Sequence, residues 1–209
     1  MTTSETAEIV YLNGRFLSQP TTGVQRVAAE IIHALDRLIA DGKCPDFRFQ
    51  ILAPKNASRR LKLSNIPQVT VGSLTGYGWE QTELAWHAKT GWLISFCNLG
   101  PVLHKRQIVM IHDTQVFAMP ENFSRAFVAF YRTILPLLGR RSRSVLTVSA
   151  FSKGELVANG VAPETKVSVV PNGVDPVSYT HLRAHETVLV ISYAVFCLKG
   201  GGGGGGGGG

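Results

Sequence analysis

Short runs rich in β-branched and aromatic residues alternate with stretches of helical spacing along most of this chain. Residues 8–16 (EIVYLNGRF) read as a first strand. A Pro-Thr-Thr-Gly loop follows at 20–23. Val24, Val27, Ala28, Ile31, Ile32, Leu35, Leu38 and Ile39 then recur at i, i+3, i+4, i+7, the spacing of one helix face. Glu30, Asp36 and Arg37 lie off that stripe, and Gly42 supplies a stop. Further strands are predicted at 47–53 (FRFQILA), 69–72, 92–96, 108–111 (IVMI), 145–148 (VLTV) and 167–170 (VSVV). Between them the spacing predicts a short helix at 80–89 and a longer one at 122–138, interrupted or kinked near Pro136. A third helix is opened by a Ser152-x-x-Glu155 capping box and closed by Gly160. Near-continuous apolar strands separated by helices imply a parallel sheet covered on both faces. The expected fold class is α/β: a single Rossmann-like, doubly wound parallel sheet, with no internal repeat and no second domain.

Beyond Pro176 the chain changes character. Residues 177–186 (VSYTHLRAHE) and 191–198 (ISYAVFCL) resemble the translation of two sequencing-library adapters, and residues 200–209 are ten consecutive glycines. On that resemblance the chain divides into a domain at 1–175 and a non-native tail at 176–209, expected to be disordered. Two signals are discounted with the tail. His181 and His185, with Glu186 beside them, imitate a zinc-binding helix pair. The apolar run at 188–198 falls far short of the roughly 20 residues that cross a bilayer.

Of 209 residues, 44% are hydrophobic and 17% charged, which excludes a collagen, a coiled coil, a wholly disordered chain and a disulfide-stapled miniprotein. Lys and Arg number 21 against 14 Asp and Glu, a formal charge of +7, of which the tail carries only +1. This basic balance points to phosphate-bearing ligands or an anionic membrane surface without choosing between them. Outside the tail only Cys44 and Cys97 remain, with no framework spacing, as expected in a reducing compartment. The N-terminal MTTSETAE is polar and lacks an apolar signal region, and no stretch is a transmembrane candidate. A cytoplasmic domain is expected.

Ligands of such sheets bind outside the carboxyl ends of the strands, so the residues just after each strand are the ones to read. Gly23, Val24 and Arg26 open the first helix, where free N–H groups, the helix dipole and a guanidinium favour an anion. The alternative there is a capped helix with a turn glycine. The segment matches neither GxGxxG nor a Walker loop, which disfavours a standard dinucleotide or ATP site. His112 and Asp113 follow the most apolar strand. As candidate catalytic residues, His112 can hydrogen-bond a sugar or phosphate and Asp113 can orient it or take an acceptor hydroxyl; alternatively the pair satisfies loop N–H groups. Ser149 follows the sixth strand and Asn172-Gly173 the last. Phe123, Phe127, Phe130, Tyr131, Ile134 and Leu138 form an aromatic stripe at helical spacing, surrounded by Arg125, Arg132, Arg140, Arg141 and Arg143. That pattern fits either an anionic membrane interface or a core-packing helix with a solvated basic face, and Lys105 and Arg106 extend it if the fold brings them alongside. Cys97 has no paired base, His33 reads as structural, and no metal-ligand cluster is found outside the tail.

The segments NGRFLSQPTTGVQRVAAEI, MIHDTQVFAMPENF, VLTVSAFSKGEL and VSVVPNGVD together resemble the N-terminal domain of a family 4 glycosyltransferase, of the retaining GT-B class. The resemblance implies the acceptor-side half of a two-domain fold. It assigns Gly23 and its neighbours to the donor phosphates or transferred sugar, and His112 to the sugar. Ser149 falls at the cleft edge and Asn172 and Gly173 at the domain junction. The basic helix corresponds to a region that docks some relatives on membranes. The donor is then a nucleoside diphosphate sugar and the acceptor a glycan or lipid-linked hydroxyl, in surface polysaccharide or lipopolysaccharide assembly and of mannosyl type. No cofactor, metal or nucleic acid is implied, and peripheral contact with the inner face of a membrane is. Two other readings remain open: a GT-B-fold nucleotide-sugar epimerase, and a non-catalytic Rossmann-like anion- or partner-binding module. The glutamates and basic residues that hold donor phosphates in this class belong to the second domain, so the chain as written is expected to be inactive. Long-read resequencing of the source DNA through the codon for Asp175 tests this. The expected outcome is a frame running on into a second Rossmann pattern with paired glutamates. Genomic codons for VSYTHLRAHET would instead favour the binding module.

Overall fold

The computed structural model describes residues 7–171. The expectations for Asn172, Gly173 and the tail at 176–209 lie outside the described residues. Among these residues there are seven strands: β1 (Glu8–Asn13), β2 (Phe47–Ala53), β3 (Gln68–Thr70), β4 (Trp92–Ser95), β5 (Gln107–Met110), β6 (Ser144–Thr147) and β7 (Val167–Val169). The helices are α1 (Gly23–Ala40), α2 (Gly76–Trp79), α3 (Ala85–His87), α4 (Gln115–Ala118), α5 (Arg125–Arg141) and α6 (Ala150–Ala158). Across the sheet the order is β3-β2-β1-β4-β5-β6-β7, and every neighbouring pair is parallel. The chain winds outward from β1 in one direction and from β4 in the other, the doubly wound arrangement the strand pattern predicts. The order reverses between β1 and β4, and ligand sites in open α/β sheets form at the carboxyl ends of such a pair.

Each apolar run feeds two cores, because successive side chains point to opposite faces. Val10 and Leu12 of β1, Ile94 of β4 and Ile108 and Met110 of β5 pack with Ala28, Ile31, Ile32 and Leu35 of α1. Tyr11 and Leu93 face the other way, onto Trp79 and Leu84. Val109, Ile111 and Val145 meet Leu135 and Leu138 of α5 and Leu156 of α6 on a further cluster. Each fully buried side chain of this size contributes about 1.5–3 kcal/mol.

Several boundaries differ from the sequence pattern, each for a local reason. β1 ends at Asn13, three residues early, because Asn13 Oδ1 accepts from the Arg15 N–H at 3.1 Å and opens a 3₁₀ turn, Gly14–Ser18. Gly14 is needed there, since a Cβ would lie 2.5 Å from the Leu52 carbonyl oxygen. The helix expected at 80–89 starts at Gly76 and contains a π turn, Glu80–Leu84, between α2 and α3. Helix α5 passes through Pro136 to Arg141, and its cap is Ser124, whose Oγ accepts from Phe127 N–H at 3.3 Å. The cap of α6 is Ser149, three residues before the predicted Ser152; its Oγ accepts from the Ser152 N–H at 3.0 Å. A short helix, α4, and a 3₁₀ turn, Pro120–Asn122, fill the connection to α5 without a clear periodic signal.

Asp36 lies off the apolar stripe of α1 and is nevertheless buried. Its carboxylate accepts N–H bonds from Ser64 (2.9 Å), Asn65 (2.7 Å) and Ile66 (3.0 Å), fixing the loop that leads into β3. Burial opposes the charge, but the three N–H donors outweigh it and hold the pKa below the usual aspartate value. Asp36→Ala should therefore cost about 2 kcal/mol. Because the folded pKa is lowered, this stabilisation is present above about pH 3.9 and is lost as pH falls through the folded value. Denaturant titrations over that acid range should show the loss in the native chain and a flatter limb in Asp36→Asn.

Candidate functional site

At the reversal point the ends of β1, β4 and β5 converge with the first turn of α1. Residues Phe96, Cys97 and Asn98, just after β4, tie the group together. Cys97 Sγ lies 3.9 Å from the Val24 carbonyl oxygen, which sets the β4 end against the start of α1. Asn98 adopts φ +62°, a left-handed conformation that asparagine tolerates better than most residues. In that pose its Oδ1 accepts from the His112 N–H at 2.8 Å. The His112 ring is buried, and its Nε2 lies 2.8 Å from the Phe96 carbonyl oxygen. A carbonyl only accepts, so Nε2 carries the proton, and neutral His112 keeps Nδ1 as an acceptor for a hydroxyl. Burial is the dominant influence on His112 and draws its pKa below the ordinary value, against the opposing pull of the Phe96 carbonyl and Asp113.

Asp113 itself is exposed, and its Oδ1 accepts from the Gln115 N–H at 3.0 Å. Gly23 is exposed at the first position of α1. A Cβ built there meets nothing within 4 Å, and its φ is not positive, so neither packing nor backbone conformation demands glycine. The N–H groups of Gly23 and Val24 point out of the helix start without intrahelical partners. Arg26 is exposed one turn in. Arg59 clamps the preceding loop, donating to Thr21 Oγ1 (2.6 Å), the Phe16 carbonyl (2.6 Å) and the Gln19 carbonyl (3.0 Å). Ser149 sits at the end of β6 as the α6 cap.

Residues 83–178 match the family described as Glycosyltransferase Family 4. Over those residues, a little under half of the chain, it is similar to that family. The match runs from the π turn through β7, and so includes Asn98, His112, Asp113 and Ser149 but not the first turn of α1. A search of curated proteins gave no match.

The aromatic stripe leading into α5 is half-buried against the core, packed with Val116, Ile134, Leu135 and Leu138. Arg125, Arg132, Arg140 and Arg141 are exposed. Arg132 leans on the Phe117 ring, 5.9 Å from its centroid. At the far end of α5 the Arg143 N–H bonds the Gln107 carbonyl at 2.9 Å, bringing that residue beside Arg106, which pairs with Glu8 at 2.7 Å. No helix among the described residues is long and apolar enough to cross a membrane. Among the same residues no three His, Cys, Asp or Glu side chains gather as metal ligands. The Cys97 thiol, with burial as the largest influence, is pushed up to about 12 and stays protonated.

Three polar residues at the reversal point escaped the sequence pattern: Asn13, Arg15 and Glu80, all buried. Asn13 and Arg15 were hidden inside a strand drawn three residues too long. The signal was present in the Asn-Gly pair of YLNGRF, a turn dipeptide that argues for an earlier strand end.

The lowered pKa makes His112 neutral at pH 7 and a liability in acid. NMR titration should place its midpoint below about 6.5. A histidine depressed in the folded state stabilises the fold above that pH and destabilises it as pH falls, since the unfolded chain binds the extra proton. His112→Gln should remove this component of the acid sensitivity.

Proposed function

We propose that this domain forms the acceptor-side wall of a retaining GT-B glycosyltransferase acting on a nucleoside diphosphate sugar, with a second Rossmann-like domain holding the nucleotide. The observation that carries the reading is the shared strut of Phe96, Cys97 and Asn98. Those three residues contact both the first turn of α1 and His112, which supports reading the two as one site. In the reaction the bond from the anomeric carbon to the diphosphate oxygen breaks, and the acceptor hydroxyl oxygen bonds to that carbon on the same face. The hydroxyl proton passes to the departing diphosphate. The open N–H groups of Gly23 and Val24, with Arg26 one turn away, would stabilise the charge developing on that leaving group. His112 would hold a hydroxyl of the transferred sugar through Nδ1. Surface glycan or lipid-linked hydroxyls are the acceptors this reading favours, with a hexose of mannosyl type as donor sugar. Contact of the exposed arginines with an anionic membrane would rest on charge alone, because the apolar face of α5 is packed inside the domain.

The test is a titration of the ¹⁵N-labelled chain with nucleoside diphosphate hexoses. Shifts are expected at the Gly23, Val24 and His112 amides, with no such response to the nucleoside alone. His112→Ala should weaken the response about tenfold, the loss of one buried hydrogen bond of about 1.4 kcal/mol. Gly23→Ala should leave thermal stability unchanged or raise it by up to about 1 kcal/mol, while weakening diphosphate binding. Robust sugar transfer by this chain alone, or binding that ignores both substitutions, would overturn the proposal.

A further inference from the structure

Next to the crevice lies a group of buried polar side chains that the anion site and His112 do not use. Asn13 Nδ2 donates to Glu80 Oε1 at 2.7 Å and to Ser95 Oγ at 3.1 Å. Arg15 Nε reaches the same Glu80 oxygen at 3.0 Å, and both side chains of this ion pair are at most 8% exposed. Two donors thus converge on Oε1, while Oε2 is buried without a hydrogen-bond partner. An ion pair built only to hold the fold would be expected to engage both oxygens, since arginine and carboxylate match as a two-pronged fork. A buried acceptor without a donor costs about 1–3 kcal/mol. This one sits at the reversal of strand order, where Asn13 and Ser95 end β1 and β4.

Aromatic rings cover the pair. The Arg15 guanidinium lies 4.6 Å from the Tyr77 ring centroid, and Tyr77 is 39% exposed. Tyr77 meets Tyr131 of α5 in a 3.5 Å contact between hydroxyls and lies tilted against Phe130 at 5.0 Å. Phe127 stacks on Tyr131 at 4.2 Å and Phe123 on Phe127 at 5.3 Å, so a row of rings leads along α5 to the buried pair.

The chemistry of the vacant oxygen narrows the ligand. Arg15 is already matched by Glu80, so the group offers no surplus positive charge to an anion. Burial is the largest influence on Glu80 and raises its pKa, while Arg15 and Asn13 oppose the shift. A hydroxyl both donates and accepts, so it satisfies Oε2 in either protonation state; a phosphate or a carboxylate does not.

We propose that Asn13, Arg15, Glu80 and Tyr77 form a subsite for a neutral, hydroxyl-rich ring of the acceptor. One ring hydroxyl bonds Glu80 Oε2, its neighbour accepts from the Arg15 guanidinium, and the C–H face of the ring packs on Tyr77 after that side chain swings off its loose contact with Tyr131. The subsite rests on the glycosyltransferase reading for its role, but its ligand chemistry is tested independently.

Saturation-transfer NMR on the full chain, with the methyl glycosides of glucose, galactose and mannose offered separately at millimolar concentration, is the experiment. Glucose 6-phosphate serves as the anionic probe. At least one methyl glycoside should bind. Glu80→Gln, which keeps the acceptor for Arg15 and Asn13 but places an amide at Oε2, should weaken it at least tenfold. Tyr77→Ala, at an exposed ring, should do the same without loss of the fold, and Trp86→Ala on the outer surface should change nothing. Preferential binding of glucose 6-phosphate, glycoside binding indifferent to both Glu80→Gln and Tyr77→Ala, or no glycoside binding would each overturn the subsite. If the diphosphate hexose response persists in that last case, the glycosyltransferase reading survives. Glycoside binding that depends on Glu80, with no diphosphate hexose response, supports the subsite and sinks the other reading.

Discussion

A buried carboxylate at the point where the strand order reverses constrains much of what surrounds it. Glu80 cannot be left alone in a dry interior, because an isolated buried charge is prohibitive. It therefore draws Arg15 and Asn13 to the end of β1. The π turn that carries it also places Gln81 and Glu83, and these hold two more connections. Gln81 Nε2 donates to the Gly100 carbonyl at 2.9 Å, while its Oε1 accepts from the Val102 N–H at 3.0 Å. Glu83 accepts N–H bonds from Ser73 and Leu74. One widened helical turn thus fixes the end of β1, the loop after β4 and the loop after β3. Such turns recur at functional sites, and here the turn stands beside the crevice.

The second constraint is the strut after β4. Its left-handed residue, Asn98, turns the chain so that one side chain and one backbone carbonyl hold both ends of His112. The same strut carries Cys97 against the first turn of α1. The His112 imidazole, held in one tautomer, and the first turn of α1 are thus tied by short-range contacts to the same three residues. The proposed reaction would draw on such preorganisation, since it needs a hydroxyl-holding group and a stabilised leaving anion at once.

Helix α5 shows how an amphipathic pattern resolves once a sheet is present. Its aromatic positions are half-buried on the core, while Arg125, Arg132, Arg140 and Arg141 stand outside together with Ala126, Ala129, Thr133 and Leu137. The basic face is split along the helix. Arg125 lies at the crevice end, whereas Arg140, Arg141 and Arg143 lie toward Gln107 and Arg106 at the amino end of the strands. Their shared charge is not concentrated at one point of the surface.

The parallel α/β sheet was legible in the sequence because burial on both faces imposes continuous apolar runs, and covering helices impose a 3.6-residue stripe. Those periodicities survive without knowledge of any contact. The position of His112 at a strand end, and of Gly23 at a helix start, followed for the same reason. What the pattern could not supply depends on partners distant in the chain. Glu80 reads as a solvent-facing helix residue until Asn13 and Arg15, more than sixty positions earlier, are brought to it. Asp36 reads as polar surface until Ser64, Asn65 and Ile66 present their N–H groups. Ser152 with Glu155 reads as a cap until the end of β6 gives that place to Ser149. Sequence determined which residues must be buried and at what period; tertiary structure decided which polar groups could be buried with them, because a buried polar group is tolerated only where a partner from elsewhere meets it.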